Sequence, residues 1–185
     1  LVNLIARFYE PQEGQVLIDG IEVEKYDLQS LRKQIGYVLQ TTLLFTSNIA
    51  ENIAFGLSKL PAVDRQVQVD HLLDATGLQG MQGRYPHELS GGQQQRVAIS
   101  RAVVTNPKLI LADEPTGNLD AEAGANIMKI LAKLHRDGQT IVMVTHDPDL
   151  ARRAHRNIHI LDGRASDVPL APVAPVSAIP KREAA

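Results

Sequence analysis

The stretch from Leu89 to Asp120, LSGGQQQRVAISRAVVTNPKLILADEPTGNLD, constrains the fold more than any other part of the chain. It begins with a Ser-Gly-Gly turn followed by a helix that ends before Asn106-Pro107. Ser90 is a good helix N-cap, and the two glycines leave backbone N–H groups uncovered at the positive end of the helix. Such a helix start is a ready anion site, and phosphate is the favoured anion.

A short apolar strand follows and ends in two adjacent carboxylates, Asp113 and Glu114. At a strand end, one carboxylate can hold Mg²⁺ while the next orients a water molecule. Taken alone, a Ser-Gly-Gly turn mostly caps a helix, and an Asp-Glu pair is usually a solvated strand end. The two features in this order and spacing favour a site that handles phosphate.

The compound pattern resembles an ATP-binding cassette (ABC) ATPase, in which LSGGQ is the signature motif, the run closed by DEP is the Walker B strand, and NLD belongs to the D-loop. The resemblance covers roughly residues 1–164. It implies an α/β, P-loop NTPase-like fold: a parallel-sheet core, an antiparallel β hairpin and a helical subdomain at about 41–105. The Ala- and Pro-rich segment 165–185 is predicted to be a disordered tail.

Local patterns predict the other elements. Two β-prone runs joined by Asp19-Gly20 indicate a hairpin. Periodicity and capping residues predict the following helices: residues 1–9, ended by Pro11 and Gly14; a short helix capped by Asp27; 63–76; Ala121 to about Arg136, with Gly138 as its C-cap; and Asp149–Arg156. Strands are expected at Ile35–Leu39, at Thr140–Thr145 with both faces covered, and at Ile158–Leu161.

Residue by residue, the resemblance implies the following roles. Asp113 would hold Mg²⁺, Glu114 would be the general base, and Gln40 would reach Mg²⁺ and the attacking water. His146 would contact the γ-phosphate, although a His before Asp-Pro is more often a turn residue, and a Gln at a strand end is usually only solvated. The residues expected to serve the nucleotide of a partner subunit, or to lie at the dimer seam, are Ser90, Gly91, Gly92, Gln93 and Asp120.

The resemblance therefore implies an ATPase that uses ATP and Mg²⁺ and works as a head-to-tail dimer with a transmembrane permease. Its expected location is the cytoplasmic face of the inner or plasma membrane. The second half resembles ATPase subunits of the lipoprotein-releasing and macrolide-efflux type, whereas the first half resembles exporters with a fused membrane part. Substrate and direction of transport stay open. Two alternatives are a soluble ABC ATPase and a non-catalytic partner that donates only its signature motif.

Composition narrows these possibilities only slightly. The formal net charge of −2 gives no basic excess for nucleic acid, and the sequence has no cysteine. No G-x-x-x-x-G-K-[ST] sequence, the Walker A loop, occurs in the 185 residues. Because the first residue is Leu1, we expect a chain truncated just after that loop and the first core strand. Such a chain should be inactive alone and fold poorly, yet its signature helix could still complete a partner's site.

Overall fold

The computed structural model describes residues 2–161 and 164–167. Within them the helices are α1 (Val2–Ile5), α2 (Leu28–Lys33), α3 (Ile49–Ala54), α4 (Ala62–Ala75), α5 (Gly91–Val103), α6 (Ala121–Arg136) and α7 (Pro148–Ala151). The strands are β1 (Leu17–Ile18), β2 (Ile21–Glu22), β3 (Ile35–Val38), β4 (Leu109–Asp113), β5 (Thr140–Val144), β6 (Ile158–Leu161) and β7 (Arg164–Asp167). The described residues divide into two compact units, the first ending at Val144 and the second beginning at Thr145.

The first unit is built on a parallel sheet in the order β3-β4-β5. The β3–β4 ladder runs from the pair Ile35–Leu109 to the pair Val38–Ala112, and β4–β5 pairing ends at Asp113–Val144. Alternate strand residues turn to one face, where Val2, Ala6 and Leu111 form a buried cluster. Helix α1 therefore covers one face of this sheet, and the predicted α/β fold with a parallel sheet and an antiparallel hairpin is confirmed.

Helix α5 lies on the other face, and Gly36 makes this possible. A Cβ atom at Gly36 would lie 2.4 Å from the carbonyl oxygen of Ala102, an atom of the α5 backbone. Because a helix backbone cannot shift away like a flexible side chain, only glycine fits at this point of β3. The close approach fixes where α5, with its N-terminal Ser-Gly-Gly turn, sits on the sheet.

The region predicted as a helical subdomain contains α3, α4 and α5 around a core of their own. The members are aliphatic and buried: Ile49, Ile53, Leu57, Val69, Leu73, Leu78, Leu89, Val97 and Val104. Leu89 and Val97 belong to the segment that carries the Ser-Gly-Gly turn. The position of that turn is therefore set both by the sheet, through Gly36, and by this helical core.

Local signals were reliable at the hairpin and at several helix ends. β1 and β2 pair antiparallel, and Asp19 and Gly20 take φ angles of +50° and +77°, the left-handed pair that a two-residue hairpin turn needs. Asp27 caps α2 by accepting a hydrogen bond from the N–H of Ser30 at 2.8 Å. α6 has the predicted limits, but its C-cap is Asp137, and Gly138, the predicted C-cap, follows it at φ +101°.

Two predicted helices are shorter than expected. α1 ends at Ile5 because Arg7 adopts φ +54° and the N–H of Phe8 bonds to the carbonyl of Asn3 at 2.8 Å, which closes the helix without a glycine. α7 ends at Ala151, well before Arg156, because hydrogen bonds between residues three apart replace the helical ones from Arg153 onward.

The strands at the end of the described chain also differ from expectation. The β5 side chains from Ile141 to Val144 are only partly buried, because β5 lies at an edge of the described sheet and pairs only with β4. In the second unit, β6 pairs antiparallel with β7, from Ile158–Asp167 to Leu161–Arg164. Residues 165–167 of the predicted disordered tail therefore belong to a strand, while 168–185 lie outside the described residues.

We expect Gly36→Ala to lower the free energy of unfolding by about 1–3 kcal/mol or more, because the added methyl group must push the α5 backbone off the sheet. Gly83→Ala is the matched control, since a Cβ there meets nothing within 4 Å. Urea denaturation of both variants beside the wild type measures the difference. Equal stabilities for the two alanine variants would contradict the role given to Gly36.

Candidate functional site

The two carboxylates at the end of β4 are held by the sheet itself. Asp113 is the last residue of β4 and pairs with Val144 of β5. The N–H of Glu114 then donates a hydrogen bond of 2.9 Å to the carbonyl of the same Val144. Both acidic residues are partly buried. Main-chain bonds to a neighbouring strand thus fix the place from which each carboxylate projects.

The backbone of Glu114 is strained. Its φ angle is +44°, in the left-handed region that residues with a side chain rarely adopt. The conformation turns the chain sharply after the strand, and the N–H of Gly117 closes the turn onto the carbonyl of Glu114 at 3.0 Å. Strain of this kind costs about 1–3 kcal/mol and persists mainly at functional sites. The sequence motif gave no signal of this strain.

Asp113 influences Tyr37 on the neighbouring strand β3. Burial raises the pKa of the Tyr37 hydroxyl above its ordinary value, and the negative charge of Asp113 raises it further. The hydroxyl donates a hydrogen bond of 2.9 Å to Oδ1 of Asn3. Tyr37 therefore stays protonated at neutral pH, and it adds no second negative charge beside the carboxylate.

Gln40 lies beside the turn that follows Glu114. A Cβ atom on Gly117 would lie 2.9 Å from Nε2 of Gln40, so the carboxamide of Gln40 occupies the space that this glycine leaves free. The Nδ2 group of Asn118 donates a hydrogen bond of 3.2 Å to the carbonyl of Gln40. The structure thus brings Gln40 to the same edge of the sheet as Asp113 and Glu114.

The Ser-Gly-Gly turn is a capping box. Oγ of Ser90 accepts from the N–H of Gln93 at 3.3 Å, and Oε1 of Gln93 accepts from the N–H of Ser90 at 2.9 Å. The first bond between residues four apart joins Gln94 to Ser90 at 2.9 Å. The N–H groups of Gly91 and Gly92 precede it and cannot be used inside the helix. An anion site at this helix start stays a prediction.

The two glycines also have a packing role within the chain. A Cβ atom at Gly92 would lie 2.9 Å from Cβ of Ala123, and one at Gly91 would meet Cδ2 of Leu119 at 3.5 Å. The start of α5 therefore rests on the start of α6. Asp120 caps α6 by accepting from the N–H of Ala123 at 2.8 Å. The place of Asp120 at a dimer seam stays a prediction.

His146 belongs to the second unit, where it follows β5 and is exposed. The next residue, Asp147, caps α7 through a hydrogen bond of 2.7 Å from the N–H of Asp149. This capping interaction is consistent with the alternative that His146 is a residue of the turn before α7. The contact of His146 with a γ-phosphate stays a prediction.

The side-chain oxygen atoms that follow β3 and end β4 suit Mg²⁺. Carboxylate and carboxamide oxygens are hard ligands, and Asp113 and Gln40 offer one of each. Within residues 2–161 and 164–167, no group of three or more His, Cys, Asp or Glu side chains could hold a metal ion. A Mg²⁺ that arrives with a phosphate-bearing substrate needs only one or two protein ligands, so the donor set fits.

Sequence reasoning missed two buried amides. Gln95 of α5 and Asn52 of α3 are 1% and 0% exposed, and both bond to backbone groups of the segment that follows β3. One signal was available, because Gln95 stands on the same helical stripe as Ala98, Ile99 and Ala102, which are buried apolar residues. A polar side chain on such a stripe must find partners.

Comparison with known proteins agrees with this geometry. Residues 1–117 match the family described as ABC transporter. The chain belongs to the ABC transporter family. The predicted resemblance is thereby confirmed, and the Ser90 turn and the Asp113–Glu114 pair both fall inside the matched region.

Individual relatives support the assignment. The chain is 42% identical to the macrolide export ATP-binding/permease protein MacB of Neisseria meningitidis serogroup B, over 96% of this chain and 29% of that protein. It is 40% identical to the methionine import ATP-binding protein MetN of Caulobacter vibrioides, over 88% of this chain and 51% of that one. The chain thus spans about a third to a half of these relatives. The MacB match agrees with the predicted likeness of the second half to macrolide-efflux ATPases.

Solved ABC ATPase structures share the fold. The dimeric, post-hydrolysis ATP-binding cassette MJ0796 bound to ADP and phosphate superposes with a TM-score of 0.78 at 37% identity, covering 92% of this chain and 80% of that chain. The cbiO1 component of the Clostridium perfringens ABC transporter complex cbiONQ gives a TM-score of 0.81 at 31% identity, covering 89% of this chain and 69% of that chain.

We expect Glu114→Gly to leave the free energy of unfolding unchanged or to raise it by up to about 1 kcal/mol, because glycine adopts φ +44° without the steric cost that a side chain brings. Lys129→Gly, in the middle of α6, is the control and should lose about 1 kcal/mol. Urea denaturation measures both variants. If Glu114→Gly lowered the free energy of unfolding as much as Lys129→Gly does, the backbone conformation of Glu114 would not destabilise the fold.

Proposed function

We propose that this chain is the ATP-binding and ATP-hydrolysing part of an ABC transporter, and that it couples hydrolysis in a head-to-tail dimer to transport across a membrane. The observation that carries the proposal is the fixed pair Asp113–Glu114, with Gln40 at the same edge of the sheet. Relatives named for ATP binding in export and in import support it. The proposal therefore covers transport in either direction, import or export.

Each carboxylate has its own task in this proposal. Asp113, with Gln40, would hold Mg²⁺, which neutralises charge on phosphate oxygens when it is bound. Glu114 follows at a turn, where its backbone adopts a φ of +44°. There it would orient a water molecule and accept its proton. Phosphoryl transfer needs little beyond such positioning and charge stabilisation.

The open end of α5 would serve the second nucleotide of a dimer. Ser90 and the N–H groups of Gly91 and Gly92 would form an anion site at the start of the helix, where Ser90 and Gly91 are exposed and Gly92 is partly buried. A related cassette is described as a dimer bound to ADP and phosphate, which supports a second ABC ATPase chain as the partner. Gln93, which closes the capping box, would set the orientation of Ser90 toward that nucleotide.

A transmembrane permease is the other proposed partner, and the surface after Gln40 suits it. The rings of Phe45 and Phe55 pack at a tilt of 37° with centroids 4.4 Å apart, and they remain 43% and 64% exposed. They line a groove of about 370 Å³. Arg101 lies over Phe45 at 5.3 Å and donates a hydrogen bond of 2.8 Å to the carbonyl of Leu43. Exposed aromatic side chains beside a groove are typical of protein contact sites.

Buried Asn52 gives this surface a defined shape. Its side chain accepts from the N–H of Phe45 at 2.8 Å and donates to the carbonyls of Phe45 and Ser47 at 3.1 and 2.9 Å. Within the described residues, no helix combines the length and the apolar character needed to cross a bilayer. We propose that the groove holds a permease segment at the cytoplasmic face of the membrane.

We also propose that the 185 residues alone do not hydrolyse ATP. The sequence contains no G-x-x-x-x-G-K-[ST] loop, whose lysine and backbone N–H groups bind the phosphates in P-loop ATPases. A phosphate-release assay on this chain, beside the full-length gene product, tests this directly.

In the full-length gene product, we expect Glu114→Gln to keep ATP binding and to lose turnover by about two or more orders of magnitude, because the carboxamide cannot accept the proton of the attacking water. Glu24→Gln, an exposed glutamate on the turn Val23–Lys25, is the control and should retain full activity. Equilibrium binding and phosphate release separate the two effects. Wild-type turnover in Glu114→Gln would remove Glu114 from the base role.

We expect Phe45→Ala to reduce the affinity of the ATPase part for its membrane part by roughly tenfold or more, because a central aromatic contact at an interface is typically worth 1–2 kcal/mol or more. Tyr9→Ala removes another exposed ring, 68% accessible, and is the control. Co-purification from detergent and permease-stimulated ATPase activity are the measurements. Unchanged association of Phe45→Ala would place the permease elsewhere.

A further inference from the structure

The side chain of Gln95 joins its own helix α5 to two other segments of the first unit, the one that follows β3 and the one that follows β4. Its Nε2 group donates one hydrogen bond of 3.1 Å to the carbonyl of Leu39 and another of 3.0 Å to the carbonyl of Pro115. Its Oε1 atom accepts a hydrogen bond from the hydroxyl of Thr42. Both donors and the acceptor of the carboxamide are therefore used.

The two carbonyls stand next to the candidate site residues. Leu39 directly precedes Gln40, and Pro115 directly follows Glu114. The β3–β4 ladder ends at the pair Val38–Ala112, so its hydrogen bonds do not extend to these positions. The carboxamide of Gln95 continues the connection between the two strands beyond the ladder, at the level where the site begins.

The three bonds also define the orientation of the carboxamide. If the amide were turned over, its oxygen would face two carbonyl oxygens and its nitrogen would face the hydroxyl. Gln95 is 1% exposed, so water cannot replace the lost bonds. A glutamate would fit the space but not the pattern, because a carboxylate cannot donate to the carbonyls of Leu39 and Pro115.

Helix α5 links this amide to the Ser-Gly-Gly turn. Gln95 lies about one turn of helix after Gly91, in the same rigid element that Gly36 holds against β3. A displacement of residues 39–42 therefore acts through one side chain on the turn after Glu114 and on the helix that carries Ser90. Its partner Thr42 lies in the same segment as Phe45.

We propose that Gln95 is a positioning residue for the ATPase reaction. It fixes Gln40 and Glu114 relative to each other and to α5, and it contacts neither the nucleotide nor the water. This inference rests on the proposed ATPase function. The reaction geometry depends on the hydrogen-bond pattern of the carboxamide, and filling the same volume with an apolar side chain is not sufficient.

The test compares steady-state ATPase kinetics of variants of the full-length gene product at a temperature well below their melting points. Gln95→Met keeps the length of the side chain and removes all three bonds. We expect its kcat to fall roughly 10- to 100-fold, because small misplacements of reacting groups cost factors of this size, while KM for ATP changes less than about twofold. A folded Gln95→Met variant with kcat close to that of the wild type would overturn the proposal.

Thr42 supplies a second, milder test in case Gln95→Met does not fold. Thr42→Val removes only the hydroxyl bond to Gln95, so kcat should fall severalfold, whereas Thr42→Ser keeps the hydroxyl and should restore it. Thr76→Val is the control, because Thr76 also bonds through its hydroxyl, to Leu72 and Ser100, away from the site; Thr76 is buried, whereas Thr42 is partly buried. Its melting temperature should fall while kcat stays unchanged.

The double variant Gln95→Met/Thr42→Val separates the remaining outcomes. If the two residues act through one bond, the double variant loses no more kcat than Gln95→Met alone, whereas a multiplied loss would overturn their coupling. A loss of kcat in Thr76→Val equal to that in Thr42→Val would reduce Gln95 to a general stabilising residue. Absence of ATPase activity in the wild type would instead refute the proposed function itself.

Discussion

Helix α5 can lie directly on β3 only because Gly36 has no side chain. The carbonyl oxygen of Ala102 lies only 2.4 Å from the position that a Cβ atom would take, so the helix backbone contacts the strand backbone without an intervening layer of side chains. The rest of the first unit depends on this contact. α5 carries Ser90 at its start, buried Gln95 in its second turn and Arg101 near its end. Gln95 bonds to Leu39, and Arg101 bonds to Leu43, so both residues hold the segment that follows β3.

Side-chain amides hold the segments that follow the strands. Beyond the last ladder pair, backbone carbonyls lose their strand partners, and a buried carbonyl without a hydrogen bond is costly. Side-chain amides supply the missing donors: Gln95 bonds to Leu39 and Pro115, Asn118 bonds to Gln40, and Asn52 bonds to Phe45. Fixed loops of this kind let a site act without reorganising, which is the main requirement for a reaction governed by positioning.

Elements with a strong local signal could be predicted. Ser90, Asp27 and Asp120 cap helices because a short polar side chain satisfies the first free N–H groups wherever it precedes a helix. Asp19-Gly20 makes a hairpin because both residues tolerate positive φ. Short elements were less predictable: the end of α1 depends on Arg7 adopting a conformation usually left to glycine, and β7 depends on a partner strand. Neither the end of α1 nor the pairing of β7 is indicated by the residue types at those positions.

The sequence by itself determined the family, the α/β class and the order of the motifs, and it supplied Gln40, Ser90, Asp113 and Glu114 as candidate site residues, because these follow from residue types at fixed spacing. Only the tertiary structure decided that Gln40 meets Gly117, that Gly92 packs on Ala123, that Glu114 is strained and that Gln95 joins three segments. The physical reason is that each of these features depends on distances between segments far apart in the chain. Such distances are set by packing in three dimensions.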